Sequence, residues 1–241
     1  MKNLEKQNEQ GLLREEKSIF TSPLQRRSFL QFAGAGAAGI ALVAAGCKKD
    51  RGDGMMPPVV STEATIDFKT EVGVLNYAYA LEQLEAAFYI KVASAPPAAF
   101  TANEKAYFQD IQFHEIAHRE FFKKALSTAA IGSLEVKFDA IDFTSRTNVL
   151  ATAKAFEDLG VGAYNGAGIR LTTDAYLIAA GKIVSVEARH AAYIRDLINP
   201  GDFATAPQVS MDKGLDMALT PAQVLPIAQT FLKTKINVIN L

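Results

Sequence analysis

Two copies of the pattern Glu-x-x-His constrain the fold of this chain more than any other feature. Glu115 and His118 form the first copy and Glu187 and His190 form the second, so together they use two of the three histidines. Residues three apart on a helix project from the same face, so each copy offers one carboxylate and one imidazole to a common point. Two such helices can hold a pair of metal ions if two further helices each supply a carboxylate.

Two further carboxylates occur at matching positions. Glu82 is followed seven residues later by Tyr89, and Glu157 is followed seven residues later by Tyr164. Seven residues are nearly two helical turns, so the members of each pair share one face. Glu82 precedes the first Glu-x-x-His by 33 residues, and Glu157 precedes the second by 30. The sequence therefore predicts an internal repeat of two helical hairpins, joined by a long link.

Caps and prolines place the helices. Thr101 and Glu104 are spaced as a capping box, and Thr220 precedes a proline at a first helical position. The predicted helices cover about 68–93, 101–128, 145 or 147 to 164, and 172 or 173 to 199, with a fifth that begins at Thr220. The predicted fold class is all-α, with a bundle at 64–200 and a C-terminal extension at 201–241 that contains the fifth helix.

These motifs resemble the ferritin-like superfamily of dinuclear carboxylate proteins. The resemblance is greatest to secreted bacterial ferritin-like domain proteins, which are similar to plant desiccation-related proteins, and it covers about 65–200. It implies a four-helix bundle with a long crossover between the second and third helices. It also implies that Tyr89 and Tyr164 hold carboxylates in place. The implied metal ligands are Glu82, Glu115, His118, Glu157, Glu187 and His190.

The donor set predicts the cofactor. Four carboxylates would balance the charge of two divalent cations, whereas without metal some would be protonated or the helices would separate. Carboxylate oxygens with imidazole suit iron or manganese, and zinc is a third candidate. We expect redox chemistry on O2 or peroxide, by an oxidase, peroxidase or catalase-like reaction. The alternative is a non-enzymatic stress or structural module of the cell envelope built on the same bundle.

Two residues leave other interpretations open. Glu85 shares the inner face with Glu82 and is either the ligand in its place or a carboxylate near the site; the Tyr89 spacing favours Glu82. His114, Glu115 and His118 also spell the zinc metallopeptidase motif. That interpretation leaves the second Glu-x-x-His without a role, so we expect His114 to lie at the surface or beside the site.

The N-terminal segment predicts export. Residues 25–31, with Arg26 and Arg27, resemble the twin-arginine motif, and a short apolar stretch follows at 32–46. Cys47, the only cysteine, follows residues that resemble a lipoprotein processing site. We therefore expect a signal segment at 1–46, lipidation at Cys47 and a tether at 47–63; an uncleaved membrane anchor is the alternative.

The predicted partners follow from the leader and the charge. We expect location in the periplasm or cell envelope, with a membrane contact through the N terminus. A second copy of the chain in a homo-oligomer and a small oxidant, O2 or peroxide, are the other expected partners. The net charge is −1 with no basic stripe, so nucleic acid is not expected.

Overall fold

The computed structural model describes residues 62–241. The export motif at 25–31, the apolar stretch, Cys47 and most of the tether lie outside these residues. The helices are α1 (Glu71–Ser94), α2 (Ala102–Leu126), α3 (Arg146–Gly168), α4 (Asp174–Ile198) and α5 (Pro221–Gln229), and the strands are β1 (Glu63–Asp67) and β2 (Lys235–Ile239). This mostly helical architecture confirms the predicted bundle and its C-terminal fifth helix. Within 62–241, no helix combines the length and apolar character that a bilayer crossing requires.

The start of α2 agrees with the predicted capping box. The Thr101 hydroxyl accepts the backbone N–H of Glu104 at 3.2 Å, and the Glu104 carboxylate accepts the N–H of Thr101 at 2.7 Å. Both bonds satisfy donors that the first turn of α2 would otherwise leave unpaired. α3 continues four residues beyond the predicted end at Tyr164. Its glycines favour close packing rather than termination, since a Cβ at Gly166 would lie 1.8 Å from the carbonyl oxygen of Leu219.

Two helical hairpins form the bundle, α1 with α2 and α3 with α4, and α1 also packs against α3. The chain between α2 and α3 runs along α1. Three side chains of α1 hold this crossover in turn: Asn76 bonds the carbonyl oxygen of Ala129 at 2.9 Å, Gln83 accepts the N–H of Leu134 at 2.9 Å, and the Lys91 ammonium lies 4.1 Å from the centroid of the Phe143 ring. α1 is therefore covered on most sides, which explains why its buried residues are not confined to one stripe.

A two-stranded parallel sheet, which the residue pattern does not predict, adds to the helical fold. β1 pairs with β2, with Ile66 opposite Val238. Ile66 is fully buried, and the N–H of Phe68 bonds the carbonyl oxygen of Ile239 at 3.0 Å. The predicted first helix began near Phe68, but that residue follows the strand and α1 begins at Glu71. Parallel strands need a crossover between them, and here the whole bundle is that crossover.

The C-terminal extension packs on the bundle. The N–H of Leu219 bonds the carbonyl oxygen of Gly162 at 2.8 Å, and α5 packs against α3 with Val224 fully buried. The guanidinium of Arg195, itself buried, donates to the Gln208 side chain at 2.5 Å. The extension thereby places Leu219 against Gly162 and Gly166 of α3.

Candidate metal centre

Each of the four bundle helices contributes one fully buried glutamate to a common point. These glutamates are Glu82 of α1, Glu115 of α2, Glu157 of α3 and Glu187 of α4, each 0% exposed. A buried ionised carboxylate is costly unless it is paired, hydrogen-bonded or bound to a cation. The bundle thus concentrates negative charge where water cannot solvate it.

The two Glu-x-x-His histidines reach across the bundle. Nδ1 of His118, in the first hairpin, lies 2.7 Å from Oε1 of Glu187 in the second. Nδ1 of His190, in the second hairpin, lies 3.0 Å from Oε1 of Glu115 in the first. Each hairpin therefore places a histidine next to a glutamate of the other hairpin.

Two sets of four donor atoms lie close enough to share a cation. All atoms of a set lie within 4.8 Å of one another. The first set is Glu82, Glu115, His118 and Glu187, and the second is Glu115, Glu157, Glu187 and His190. Glu115 and Glu187 belong to both sets, so the two donor sets overlap at two carboxylates.

The donor atoms lack other partners. Within the described chain, both oxygens of Glu115, both oxygens of Glu187 and Nδ1 of each histidine are buried without a hydrogen bond. Nδ1 of each histidine lies at ion-pair distance from a carboxylate oxygen, but the two groups are not aligned as a hydrogen bond requires. Each unsatisfied buried polar atom costs about 1–3 kcal/mol, and more when it is charged. Cations at the two positions would use these atoms, and oxygen with imidazole suits iron, manganese or zinc.

Two tyrosines fix the carboxylates that belong to only one set. The Tyr89 hydroxyl donates to Oε1 of Glu157, and the Tyr164 hydroxyl donates to Oε1 of Glu82. In both glutamates the other oxygen, Oε2, lacks a hydrogen bond. Burial and the neighbouring carboxylates raise the pKa of both tyrosines well above the usual value, so both hydroxyls keep their protons. Each tyrosine thus orients one oxygen and leaves the other for a cation.

In the metal-free cluster, some of the carboxyl groups and both histidines hold protons. Burial, followed by the charge of Glu187, raises the pKa of Glu115 to about 8, and burial raises the pKa of Glu157 to about 7. Burial opposes ionisation of Glu187 as well, but the close imidazole groups of His118 and His190 outweigh it and lower its pKa to about 2. Burial disfavours the charged form of both histidines too, yet the carboxylates around them raise their pKa far above the usual value. Protons therefore compensate the buried charge where cations would otherwise do so.

Glu85 lies buried beside the cluster and is 4% exposed, but it belongs to neither donor set. Gly160 of α3 makes room for it, since a Cβ there would lie 2.9 Å from Oε1 of Glu85. Burial, and then the surrounding glutamates, raise the pKa of Glu85 well above its usual value. Glu85 thus holds a proton next to the site, while the geometry places Glu82 in the donor set.

His114 lies on the outer side of the cluster. Its Nδ1 atom is 2.9 Å from Nε2 of His190, and the two rings are nearly parallel, with 6° between their planes. Neither donor set of residues 62–241 includes His114. The structure therefore does not bring His114 and His118 to one cation, as the peptidase motif requires. The contact with His190 was missed because it joins residues 76 apart in the chain.

A family model described as ferritin-like domain matches residues 70–200, more than half of the chain. The chain belongs to the ferritin-like domain family. The match covers α1 to α4 and every residue of both donor sets. A comparison with curated protein sequences gave no match. This ferritin-like protein therefore carries, inside its family domain, a buried carboxylate and histidine cluster that could bind metal.

Proposed function

We propose that this ferritin-like protein binds two divalent metal ions, iron or manganese, and uses them for redox chemistry on O2 or peroxide. One observation carries the proposal: buried oxygen and nitrogen atoms without hydrogen bonds form two overlapping donor sets that share Glu115 and Glu187. A cluster that served only to stabilise the bundle would be better replaced by apolar side chains of similar volume.

The charges support divalent cations at both positions. Four glutamates carry four negative charges when ionised, which two divalent ions balance. Metal binding would displace the protons that Glu115 and Glu157 hold and make both histidines neutral ligands. Oxygen-rich sets with one imidazole each favour iron or manganese, and zinc would bind without redox chemistry.

The chain's own side chains prepare the site for the reaction. Bound iron or manganese would supply the electrons that reduce O2 or peroxide. Glu115 and Glu187 would contribute ligands to both positions, and the tyrosines keep Glu82 and Glu157 oriented. The closed bundle excludes bulk water, which strengthens every charge interaction inside. Glu85 keeps a proton close to the cluster, in a position to supply one when a reduced oxygen species needs it.

Metal analysis and peroxide turnover test this proposal. The full-length protein, purified aerobically, should contain about two transition-metal ions per chain, as the four-carboxylate bundle predicts. The first reaction to assay is peroxide disproportionation, because two H2O2 give two H2O and one O2 without a further reductant. Absence of metal would refute the proposal, and bound metal without turnover of O2 or peroxide would reduce it to binding.

Two variants on α2 distinguish the effect of losing a donor residue from the effect of changing a glutamate elsewhere on the same helix. Glu115→Gln should lower metal content and abolish turnover, because Glu115 belongs to both sets. Glu120→Gln changes an exposed glutamate on the same helix, with a side chain 50% exposed, and should behave like the wild type. If Glu115→Gln kept full activity and the cellular phenotype, the non-enzymatic scaffold would be the better explanation.

We also propose that the protein is exported and anchored to a membrane by lipid at Cys47. Support comes from the twin-arginine pattern at 25–31 and the cysteine that follows the apolar stretch. Replacement of Arg26 and Arg27 by lysine should block export, and Cys47→Ala should move the exported protein from the membrane to the soluble fraction. Export that is unaffected by the first change would refute the route.

A further inference from the structure

The repeat that builds the site is broken at His114. The first and second Glu-x-x-His copies are related by an offset of 72 residues, since Glu115 corresponds to Glu187 and His118 to His190. By the same offset His114 corresponds to Val186. The two tyrosine contacts obey the repeat, but the contact of His114 with His190 has no possible counterpart between Val186 and His118, because an aliphatic side chain has no hydrogen-bonding atom.

The contact lies on the side of His190 that faces away from the carboxylates. Nδ1 of His190 points at Glu115 and Glu157, at 3.0 and 3.4 Å, while Nε2 meets Nδ1 of His114 at 2.9 Å. A neutral imidazole that binds a cation through Nδ1 carries its proton on Nε2. That proton then has an acceptor in Nδ1 of His114, and the tautomer and ring orientation are set before the cation arrives.

His118 is held differently. The ion pairs that it makes within residues 62–241 all involve Nδ1, with Glu82, Glu115 and Glu187. Its side chain is 12% exposed, against 6% for His190. The ring of His118 is therefore oriented by the carboxylates of the site, whereas the ring of His190 also contacts His114 on its opposite side.

We propose that the two metal positions are inequivalent, and that His114 makes the position of His190 the tighter one by orienting His190. This inference rests on the proposed function, because it concerns the same two donor sets. In it His114 is a positioning residue: it touches a ligand and belongs to neither set. The position of His190 fills first, and the position of His118, which is closer to solvent, loses its ion first.

The experiment isolates each position in turn. Glu82 belongs only to the His118 set and Glu157 only to the His190 set. In full-length protein, Glu82→Gln should therefore weaken only the His118 position, so that the affinity of the His190 position can be measured. Glu157→Gln should weaken only the His190 position, so that the affinity of the His118 position can be measured. The affinity of the remaining position for Mn²⁺ is measured for each, with and without His114→Val, by competition with a chelator at one fixed pH.

We expect His114→Val to weaken Mn²⁺ binding about 10–100-fold in the Glu82→Gln protein and to change it less than about twofold in the Glu157→Gln protein, the first being the usual effect of losing a partner of a ligating histidine. His114→Asn should restore much of the affinity, since its Oδ1 can accept the same proton from near the position of Nδ1. Equal effects in both backgrounds, or none in either, would overturn the inference.

Two controls keep the outcome interpretable. Thermal unfolding of each metal-free variant shows whether His114→Val merely disturbs the bundle; such a disturbance would weaken both positions alike and would count against the inference. If the wild-type protein itself bound no Mn²⁺, Fe²⁺ or Zn²⁺, the proposed function would fail. Binding of two ions with equal affinities for the isolated positions would refute the inequivalence alone.

Discussion

Tyr164 of α3 donates its hydroxyl hydrogen to Glu82 of α1, so a tyrosine of the second hairpin holds the glutamate of the first. Tyr89 does the same for Glu157 in the opposite direction. The seven-residue spacing of the sequence pairs Glu82 with Tyr89 on one helix face, but the bonds connect the hairpins instead. The crossed contacts link the geometry of each donor set to correct packing of α1 against α3.

Loss of a crossed contact should lower the affinity for metal. Tyr164→Phe removes the donor to Glu82, and we expect the affinity of the set that contains Glu82 to fall about 10–100-fold. Competition with a chelator measures this change.

Tyr77→Phe is the matched control, since it makes the same substitution on α1. The Tyr77 hydroxyl is buried without a hydrogen-bond partner, so its removal should leave metal affinity unchanged. It should raise the free energy of unfolding by about 1 kcal/mol, because an unsatisfied polar atom is lost. Equal effects of the two variants on metal affinity would contradict a specific role for the Tyr164 contact.

The shared carboxylates predict a pattern of metal content. Glu82→Gln and Glu157→Gln should each leave about one ion per chain, whereas Glu187→Gln should weaken both positions, because it belongs to both sets. Elemental analysis after dialysis against a weak chelator distinguishes the variants. Retention of both ions by Glu187→Gln would show that this carboxylate is not shared.

Stability of the metal-free protein should fall as pH rises above neutral. The pKa of Glu115 is raised to about 8 and that of Glu157 to about 7, above the ordinary 4.5, so the folded state binds more protons than the unfolded state between these values. Their contribution is complete below pH 4.5 and is lost as pH rises through 7 and 8. His118 and His190, whose pKa values are also raised, act in the same direction from pH 6.5 upwards.

Glu187 acts in the opposite direction, since its pKa is lowered to about 2. Its contribution is present above pH 4.5 and is lost as pH falls towards 2, so the metal-free protein should be most stable near pH 5–6, by the balance of these groups. Cations compete with the same protons, and metal affinity should therefore rise with pH between about 5 and 8. Thermal unfolding with and without chelator tests both trends; a metal-free protein that gains stability from pH 6 to 8 would contradict the assignment.

Glycine in α3 is required for docking of the C-terminal extension. A Cβ at Gly166 would lie 1.8 Å from the carbonyl oxygen of Leu219, so Gly166→Ala must displace that segment and should cost at least about 1–3 kcal/mol. Gly181→Ala on α4 is the control: a Cβ there meets nothing within 4 Å, and alanine should stabilise the helix by about 0.5–1 kcal/mol. Chemical denaturation measures both, and destabilisation of equal size would argue against the contact.

Much of the fold follows from local patterns. The caps at Thr101 and Thr220 predict two helix starts, and the Glu-x-x-His spacing predicts the faces on which the donor residues lie. The two strands escaped prediction because each is five residues long and gains its stability from a partner about 170 residues away. The predicted domain boundaries and the leader stay predictions.

Helical periodicity links neighbours three, four and seven residues apart, so the order of residues along the chain is enough to predict which side chains face the centre of the bundle. How those faces meet depends on packing between the helices: Tyr164 bonds Glu82, Glu115 and Glu187 belong to both sets, and His114 contacts His190. These relationships join residues on different helices, and their distances depend on packing between helices rather than on the rise and turn of any one of them.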